Sequence, residues 1–353
     1  MFVVRPIARD DLPAVLALSE RTGTGLTTLP ASRERLAGRI ERSIASFAGT
    51  APEAEACHVF VLVDAGARGE TEAGRVVGIG AIEAAVGLTE PWYNYRVGTQ
   101  VHASRELGVY TSVPTLFLSN DHTGHAELCT LFVDQGHRRG RNGPLISKSR
   151  LLFIAEFADR FGGKVIAELR GRLDERGRSP FWEGLGRHFF AMEYSTADYL
   201  TGIGRKSFIA ELMPRHPVYV NLLPPEARAA IGAVHTDTEP ARRMLEQEGF
   251  RYEGYVDIFD AGPTVEAFVD NIDAIRRSQV FSATLEEDDP VPDDRLVEVP
   301  WLVTNRRFTG WRAIVAPAPR RVDRFPLRPH AARALRVGEG DSVRAVALSP
   351  ADR

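Results

Sequence analysis

The sequence predicts an α/β protein built on a mixed α+β sheet, because strand-like and helix-like segments alternate along the chain. Residues 59–63 and 76–82 are rich in β-branched side chains and flank a turn rich in Gly and Glu, which predicts a β-hairpin. Leu36, Ile40 and Ile44 recur at helical spacing. With 353 residues, the chain exceeds one ordinary hydrophobic core, so two or three domains are expected.

The amino-terminal half predicts an ordered series of elements. Residues 2–7 form a strand, and a helix follows Asp10 and Asp11. A second helix and the hairpin come next. Residues 128–133 then predict a strand, which leads through a basic, Gly-containing loop into a long helix that reaches about residue 161 and a further strand. Pro144 suits the first turn of that helix, where a missing N–H costs nothing.

The carboxy-terminal half predicts two further units. One begins near Gly202, with a strand over residues 208–212, a helix between Pro240 and Gly249, and a strand over residues 252–259. Residues 283–294 are acidic and contain proline, so they predict a linker or an exposed loop. Short strands around Gly turns follow. The expected domains are therefore residues 1–201, residues 202–282, and residues 283–353, the last being a linker with a small β-rich unit.

Composition and charge exclude several classes of function. A net charge of −3 and a pI near 6.3 provide no basic field for nucleic acid. The longest apolar runs, such as residues 151–158, are far shorter than the roughly 20 residues of a membrane helix. Cys57 and Cys129 make neither a disulfide framework nor a metal site. The N-terminus lacks a secretory signal. We expect a cytoplasmic protein without nucleic-acid, membrane or metal partners.

Several long and unusual motifs carry a family resemblance. Residues 87–99 read Gly-Leu-Thr-Glu-Pro-Trp-Tyr-Asn-Tyr-Arg-Val-Gly-Thr, residues 118–124 read Leu-Ser-Asn-Asp-His-Thr-Gly, and residues 127–131 read Glu-Leu-Cys-Thr-Leu. Residues 167–171 (Ala-Glu-Leu-Arg-Gly) and 248–252 (Glu-Gly-Phe-Arg-Tyr) continue the pattern. Over roughly the first 280 residues the chain resembles the arginine N-succinyltransferases. The resemblance implies a GNAT-like acyl-CoA N-acyltransferase fold, with the possibility of two GNAT-like halves.

The reaction implied by the resemblance is transfer of succinyl from succinyl-CoA to the α-amine of L-arginine, the first step of the succinyl-transfer route of arginine degradation. Succinyl-CoA is then a co-substrate, and no permanently bound cofactor is expected. Two alternatives stay open. The acceptor is ornithine or another amine, or the chain is a non-catalytic, acyl-CoA-binding subunit of a heteromer. We expect either a homo-oligomer or a heteromer with a paralogous subunit.

The resemblance also implies where CoA binds. Backbone groups of Leu131 and Val133 would pair with pantetheine, although a strand leucine is also an ordinary core residue. The start of the following helix would bind the pyrophosphate through unpaired N–H groups and added arginine charge. Arg141 stands where the GNAT loop signature has its first glycine, and Gly140 lies one residue early, so the loop has a changed shape or is an ordinary solvated turn. The loop residues are Arg138, Arg139, Arg141, Asn142 and Gly143.

His235 matches the family's proton donor, since an imidazole can protonate a departing thiolate near neutral pH. On its own it would be an ordinary surface or core histidine. The guanidinium and carboxylate of arginine call for an acidic fork and for cations or N–H donors. Arg96 and Arg170 are candidates for the succinyl carboxylate. Each substrate candidate is otherwise a capping or solvated residue; the set is Asn120, Asp121, Glu127, Glu168 and Arg170.

The proposed backbone contact at Leu131 can be tested with two substitutions. Leu131→Ile keeps the N–H and carbonyl and should have a mild effect, whereas Leu131→Pro removes the N–H and should be severe. The measurement is kcat/KM for succinyl-CoA together with the melting temperature of each variant. Equal losses in two folded variants would assign the contact to the side chain.

Overall fold

The computed structural model describes residues 1–22, 26–66, 74–202, 207–286 and 297–349. Its helices are α1 Leu12–Ser19, α2 Arg33–Ala48, α3 Asn142–Glu156, α4 Arg187–Phe190, α5 Tyr194–Gly202, α6 Ser207–Leu212, α7 Pro225–Ala230, α8 Glu239–Gln247, α9 Asp273–Arg277 and α10 Pro329–Leu335. Its strands are β1 Phe2–Pro6, β2 Cys57–Asp64, β3 Arg75–Glu83, β4 Asn94–Ser104, β5 Val109–Ser119, β6 Ala126–Val133, β7 Lys164–Glu168, β8 Val218–Tyr219, β9 Arg251–Asp257, β10 Pro263–Phe268, β11 Gln279–Leu285, β12 Glu298–Asn305, β13 Ala313–Pro319, β14 Phe325–Leu327 and β15 Ser342–Ala347.

The strands form one mixed sheet, in the order β14-β11-β15-β12-β13-β1-β2-β3-β6-β7-β10-β9-β4-β5-β8. Neighbours are antiparallel except for the parallel pairs β6–β7 and β11–β14. The predicted mixed α/β class is confirmed. Strands β9 and β10, from residues 202–282, lie between β7 and β4, so they continue the sheet of the first 201 residues. The strands after residue 278 join at the other edge, where Val4 of β1 pairs with Ala313 of β13.

Most of the predicted elements are present, and three segments differ. Residues 208–212 lie in helix α6 rather than in a strand, because Ala210, Glu211 and Leu212 are strong helix formers. The predicted acidic linker begins inside β11, with Ala283 fully buried, and residues 287–294 of it lie outside the described chain. Leu335 ends helix α10 instead of opening a strand. The turn of the β2–β3 hairpin also lies outside the described residues.

Helix α3 is the centre of the molecule. Eleven of its fifteen residues are buried, so it is enclosed on all sides. It contributes to a core formed with β2, β3, β6 and β12, while α1 and α2 cover the opposite face of β2 and β3. Among the described residues no helix is long and apolar enough to cross a membrane.

A buried ion pair joins α3 to the rest of the fold. Lys148 Nζ lies 2.8 Å from Glu248 Oε1, and both side chains are almost fully buried. Lys148 also donates to the carbonyl of Leu348 at 2.9 Å, and Glu248 Oε2 accepts from the N–H of Ala274 at 2.7 Å. The pair therefore links α3, the end of α8, the start of α9 and the last described strand.

Removal of one partner of this pair should be strongly destabilising. Lys148→Met leaves the Glu248 carboxylate buried without its cation, which costs about 3–5 kcal/mol. Lys148→Met combined with Glu248→Leu should recover much of that loss, because no uncompensated charge remains. Urea unfolding followed by fluorescence gives the free energies. Arg242→Gln, in the exposed pair with Glu246, is the control and should cost less than about 1 kcal/mol. A small effect of Lys148→Met would mean that the pair is not a structural link.

Candidate active site

Strand β6 contains a β-bulge at Thr130. Ile79 pairs with Phe132 and Ala81 pairs with Cys129, so Gly80 alone faces two residues of β6. Thr130 has a φ of 57°, which is uncommon for a β-branched residue and marks a strained position. A bulge of this kind redirects the backbone of β6 after residue 129, just before Leu131, where the resemblance implies pairing with pantetheine.

The bulge is held in place by the fully buried guanidinium of Arg150 on α3. Arg150 Nη1 donates to the carbonyl of Ala81 at 3.1 Å and to that of Cys129 at 3.0 Å. A Cβ added at Gly80 would lie 3.3 Å from Arg150 Cδ, so glycine makes room for this side chain. Burial lowers the pKa of Arg150 to about 10, which leaves it cationic at neutral pH.

Strands β6 and β7 pair only at their starts. Ala126 pairs with Val165 and Glu127 with Ile166, and the described ladder between them ends there. The remainder of β6 is therefore unpaired with β7, and Cys129 and Thr130 of that part line a cleft of about 1330 Å³, whereas Leu131 and Val133 do not. This volume exceeds the roughly 300–1,000 Å³ of a site for one drug-sized ligand, so it has room for a larger ligand or for two.

The cleft brings together three of the five predicted substrate residues. Glu127, Glu168 and Arg170 line it, whereas Asn120 and Asp121 do not. Its walls come from α2, the segment after β3, α5 and the turn between β9 and β10. The ionisable and strand residues that line it include Glu34, Arg35, Arg39, Arg42, Glu55, Glu83, Glu90, Tyr93, Glu127, Cys129, Thr130, Glu168, Arg170, Tyr194, Asp198, Tyr199, Asp257 and Asp260.

Four carboxyl groups form an acidic cluster, defined as Glu127, Glu168, Asp257 and Asp260. Burial raises the pKa of Glu168 well above its usual range, and the charges of Asp257, Glu127 and Asp260 raise it further. Burial and the nearby Asp260 likewise raise the pKa of Asp257. Glu168 accepts a hydrogen bond from Asn94 Nδ2 at 3.2 Å. Carboxyls that raise one another's pKa in a cleft are suited to a cationic ligand, which would let them ionise together.

Asp260 is placed by the backbone. Its two carboxyl oxygens accept from the N–H groups of Gly171 at 2.7 Å and Gly262 at 2.8 Å. A Cβ at position 171 would lie 2.4 Å from the Asp260 carbonyl oxygen, so only glycine allows β7 and the β9–β10 turn to approach this closely. Burial raises the pKa of Asp260, while these N–H groups lower it.

Two arginines on α2 stand among the lining residues that sequence reasoning missed. Arg39 and Arg42, here named the arginine pair, share the Glu83 carboxylate at 3.0 and 2.7 Å. Arg39 Nη2 also lies 3.3 Å from Cys129 Sγ, and Arg39 Nη1 donates to the carbonyl of Thr28. Their spacing of three residues puts them on one helix face, but only the fold brings that face to β6.

His235 lies beside Arg170, which lines the cleft, but is not itself among the lining residues. The backbone N–H of His235 donates to the backbone carbonyl of Arg170 at 2.9 Å, next to the β-bridge between Gly171 and Val234. Its Nδ1 accepts from the N–H of Asp237 at 3.2 Å, so the neutral ring carries its proton on Nε2. Burial lowers the pKa of His235, and the cationic Arg170 lowers it further. The protonated ring of His235 would therefore be a stronger acid than the protonated ring of a histidine in water.

Of the other two predicted substrate residues, Asn120 bonds to a residue of the cleft wall and Asp121 bonds to Tyr255, which lies outside the lining. Asn120 Nδ2 donates to the carbonyl of Trp92 at 2.6 Å, and Trp92 lines the cleft. Asp121 accepts from Tyr255 Oη at 2.8 Å, a bond that lowers the pKa of Asp121. Arg96 lies over the Tyr255 ring, 5.9 Å from its centroid, and not in the cleft lining.

The predicted CoA residues follow the bulge along β6 to the start of α3. Arg138 Nε donates to the carbonyl of Val133 at 2.9 Å, and buried Asn142 donates to the carbonyl of His137 at 3.0 Å. Arg141 is the N-cap of α3 and Arg139 is exposed. Gly140 has a φ of 60°, so glycine is favoured where the loop turns into the helix. Within α3 the first helical bond is that from Leu145 to Arg141. The N–H groups of residues 142 and 143 therefore have no acceptor within the helix.

Two of the seven predicted CoA residues, Arg138 and Asn142, thus brace the loop through side-chain hydrogen bonds, and Val133 is buried. Leu131 is partly buried and packs on the α3 core, and Gly143 faces open space. Among the described residues, no group of three or more His, Cys, Asp or Glu side chains is arranged to hold a metal ion.

The raised pKa of Glu168 predicts how the stability of the folded protein changes with pH. A carboxyl whose folded pKa exceeds its unfolded pKa binds more protons in the folded state, so it lowers stability as pH rises above the ordinary glutamate range. Glu168→Gln removes this loss and can still accept from Asn94. The melting temperature of the ligand-free variant should therefore exceed that of wild type by a margin that grows as pH rises above the ordinary glutamate range and levels off once Glu168 ionises in the folded protein.

Glu253→Gln, at an exposed position on β9, is the matched control and should behave as wild type throughout. Thermal melts at half-unit pH steps provide the comparison. A difference for Glu168→Gln that does not grow as pH rises above the ordinary glutamate range would contradict the raised pKa.

Comparison with known proteins assigns the family. Residues 2–274 match the model of the arginine N-succinyltransferase beta subunit, and residues 282–347 match that of its C-terminal domain. The chain is 51% identical over 356 residues to the arginine N-succinyltransferase of Enterobacter sp. (strain 638), covering 100% of this chain and 99% of that protein. It is 53% identical over 353 residues to arginine N-succinyltransferase subunit beta of Pseudomonas aeruginosa, with 99% of each chain covered.

A solved structure agrees with this assignment. That of arginine/ornithine succinyltransferase subunit AI from Pseudomonas aeruginosa matches with a TM-score of 0.88 at 37% identity, over 99% of each chain. The family predicted from the motifs is confirmed, and with it the acyltransferase class. This chain belongs to the arginine N-succinyltransferase family.

Proposed function

We propose that this chain transfers the succinyl group of succinyl-CoA to the α-amine of L-arginine, as the first step of arginine degradation by succinyl transfer. One observation carries the proposal. The cleft at the opening between β6 and β7 is lined both by the acidic cluster and by the arginine pair. Such a cleft is suited to a cationic acceptor and an anionic acyl group at once.

L-Arginine would bind with its cationic groups toward the acidic cluster. Glu127 and Glu168 stand at the ends of the paired parts of β6 and β7, next to the bulge, and Asp257 and Asp260 extend the cluster toward α5. Carboxylates bind a guanidinium by paired, charge-assisted hydrogen bonds. Arg170, beside the cluster, is our candidate for the α-carboxylate of the acceptor.

Succinyl-CoA would lie along β6. Backbone groups of residues 131 and 133 are our candidates for pantetheine contacts, as in strand addition to an open sheet edge. The pyrophosphate would approach the start of α3, where Arg139, Arg141 and the N–H of Gly143 are exposed or open. The bulge at Thr130 then places the thioester beside the cleft.

The reaction needs two proton transfers from the acceptor. The α-ammonium loses one proton before attack, and Glu168 is suited to accept it because a raised pKa makes a carboxylate a stronger base. The neutral amine attacks the thioester carbon and the C–S bond breaks. The attacking nitrogen loses a second proton, and the departing thiolate gains one from His235. The products are N2-succinyl-L-arginine, CoA thiol and one proton.

Ornithine remains the nearest alternative acceptor, since the related Pseudomonas aeruginosa structure is described as an arginine/ornithine succinyltransferase. That description and the subunit names of other relatives also support an oligomeric enzyme, composed of identical or paralogous chains. We propose a cytoplasmic location, consistent with the composition. The domain boundaries at residues 202 and 283 stay predictions; the second lies close to the start of the C-terminal family match at residue 282.

The role of His235 is tested by thiol release. Wild type should release CoA from succinyl-CoA in the presence of L-arginine, more slowly with L-ornithine, and not without amine. His235→Ala should reduce kcat on the order of a hundredfold or more, the size expected of a general acid. His188→Ala, at an exposed histidine outside the cleft, is the control and should retain wild-type kcat.

The outcomes separate the rival functions. Unchanged kcat in His235→Ala would remove this residue from the chemistry and leave the transferase intact. Binding of succinyl-CoA by wild type without thiol release for any amine would favour the non-catalytic subunit, and addition of a paralogous chain would then restore activity.

A further inference from the structure

The ion-pair group around Glu83 carries more positive than negative charge. Both Arg39 and Arg42 form their ion pair with this one carboxylate, and Arg42 Nη2 contacts both of its oxygens, at 2.7 and 2.8 Å. The thiols of Cys57 and Cys129 add no negative charge, because burial raises the pKa of both and that of Cys129 to about 12. Two cations are therefore matched by one anion in this group.

The two guanidiniums also retain unused hydrogen-bonding capacity. The Nε–H groups of Arg39 and Arg42 are buried and lack a hydrogen-bond partner among the described residues. A buried donor without a partner costs free energy. These Nε–H groups are too buried to meet a ligand themselves. What bears on a ligand is that the wall of the cleft holds two guanidiniums whose charge Glu83 alone does not balance.

The arginine pair is close to the place where the acyl group would lie. Arg39 Nη2 contacts Cys129 Sγ at 3.3 Å, and Cys129 directly precedes the bulge at Thr130. Both of these β6 residues line the same cleft as the arginine pair. In succinyl-CoA only two methylene groups separate the thioester carbonyl from the distal carboxylate, so a carbonyl at the bulge leaves that carboxylate near α2.

The two arginines differ in what they can reach. The Arg42 side chain is 40% exposed, whereas that of Arg39 is 15% exposed and is held by Thr28, Glu83 and Cys129. Arg42 is therefore the one that can contact a ligand, and Arg39 adds charge and holds Glu83 in position.

We propose that Arg42, with Arg39 behind it, binds the distal carboxylate of the succinyl group and thereby selects a dicarboxylic acyl-CoA over a neutral acyl-CoA of the same length. This inference rests on the proposed function and names residues that the sequence did not indicate. Of the two earlier candidates for this carboxylate, Arg96 lies outside the cleft lining, and Arg170, which lines the cleft beside the acidic cluster, is proposed above for the α-carboxylate of the acceptor. The charge arrangement would equally attract the α-carboxylate of the acceptor, and the test separates these two ligands.

The experiment compares wild type, Arg42→Gln, Arg42→Lys and the control Arg33→Gln, an exposed arginine on α2 that does not line the cleft. Thiol release is measured with succinyl-CoA and with butyryl-CoA, which has the same four-carbon chain without the carboxylate. Each acyl-CoA is tested with L-arginine and with L-argininamide, which lacks the α-carboxylate. Melting temperatures confirm that every variant is folded.

In wild type and Arg33→Gln, succinyl-CoA should be strongly preferred. Arg42→Gln should lower kcat/KM for succinyl-CoA on the order of tenfold to a hundredfold, the range for loss of charge-assisted hydrogen bonds, and leave kcat/KM for butyryl-CoA nearly unchanged. Arg42→Lys should keep part of the preference, since a point charge replaces a bidentate fork. It also serves as the test if Arg42→Gln does not fold.

Two results would overturn the inference. One is an equal loss for both acyl-CoA substrates in a folded Arg42 variant. The other is an unchanged acyl preference with loss of the preference for L-arginine over L-argininamide, which would assign Arg42 to the acceptor. Absence of transfer by wild type from any acyl-CoA is a different failure, because it refutes the proposed function itself.

Discussion

The site depends on the contact between Arg150 and the backbone of β3 and β6. A bulge leaves carbonyl groups out of the regular ladder, and buried carbonyls need donors. Arg150, at the centre of α3, donates from one nitrogen atom to both of these carbonyls. A charged side chain is rare in such a core. Without that contact the carbonyls of Ala81 and Cys129 would lose this buried donor, and the bulge that redirects β6 at the cleft would be less stable.

The acidic cluster shows how binding chemistry competes with stability. Carboxyl groups that crowd together in a partly buried site disfavour each other's ionised state, as the raised pKa values of Glu168 and Asp257 indicate. The fold tolerates this because backbone N–H groups hold Asp260 and Asp257 in place. A cationic acceptor would balance the negative charge of these carboxylates. Its binding would relieve their mutual repulsion, and that relief would contribute to the binding free energy.

The family could be predicted from the sequence because the motifs are long. Most helices and strands could be predicted because hydrophobic periodicity is a local property of the chain. Sequence reasoning also found Glu127, Glu168 and Arg170 in the cleft, since they lie within or beside strand motifs. It missed the arginine pair, because Arg39 and Arg42 belong to an ordinary amphipathic helix whose polar face meets β6 only in the fold. Asn120 and Asp121 were placed in the site, but neither lines the cleft, and only Asn120 bonds to a residue of its wall. The helix over 208–212 was mistaken for a strand since so short an apolar run has no decisive period.

The position of Cys129 bears on whether transfer is direct. It stands beside the bulge, lines the cleft and contacts Arg39, which is where a nucleophile for an acyl-enzyme would be needed. A thiol must ionise to attack, and an adjacent arginine normally favours the thiolate. Here burial outweighs that charge and raises the pKa of Cys129 to about 12, so the thiol is overwhelmingly protonated at neutral pH. The electrostatics that fit the cleft to charged substrates thus leave its best-placed nucleophile inactive, which favours direct attack by the acceptor amine on the thioester.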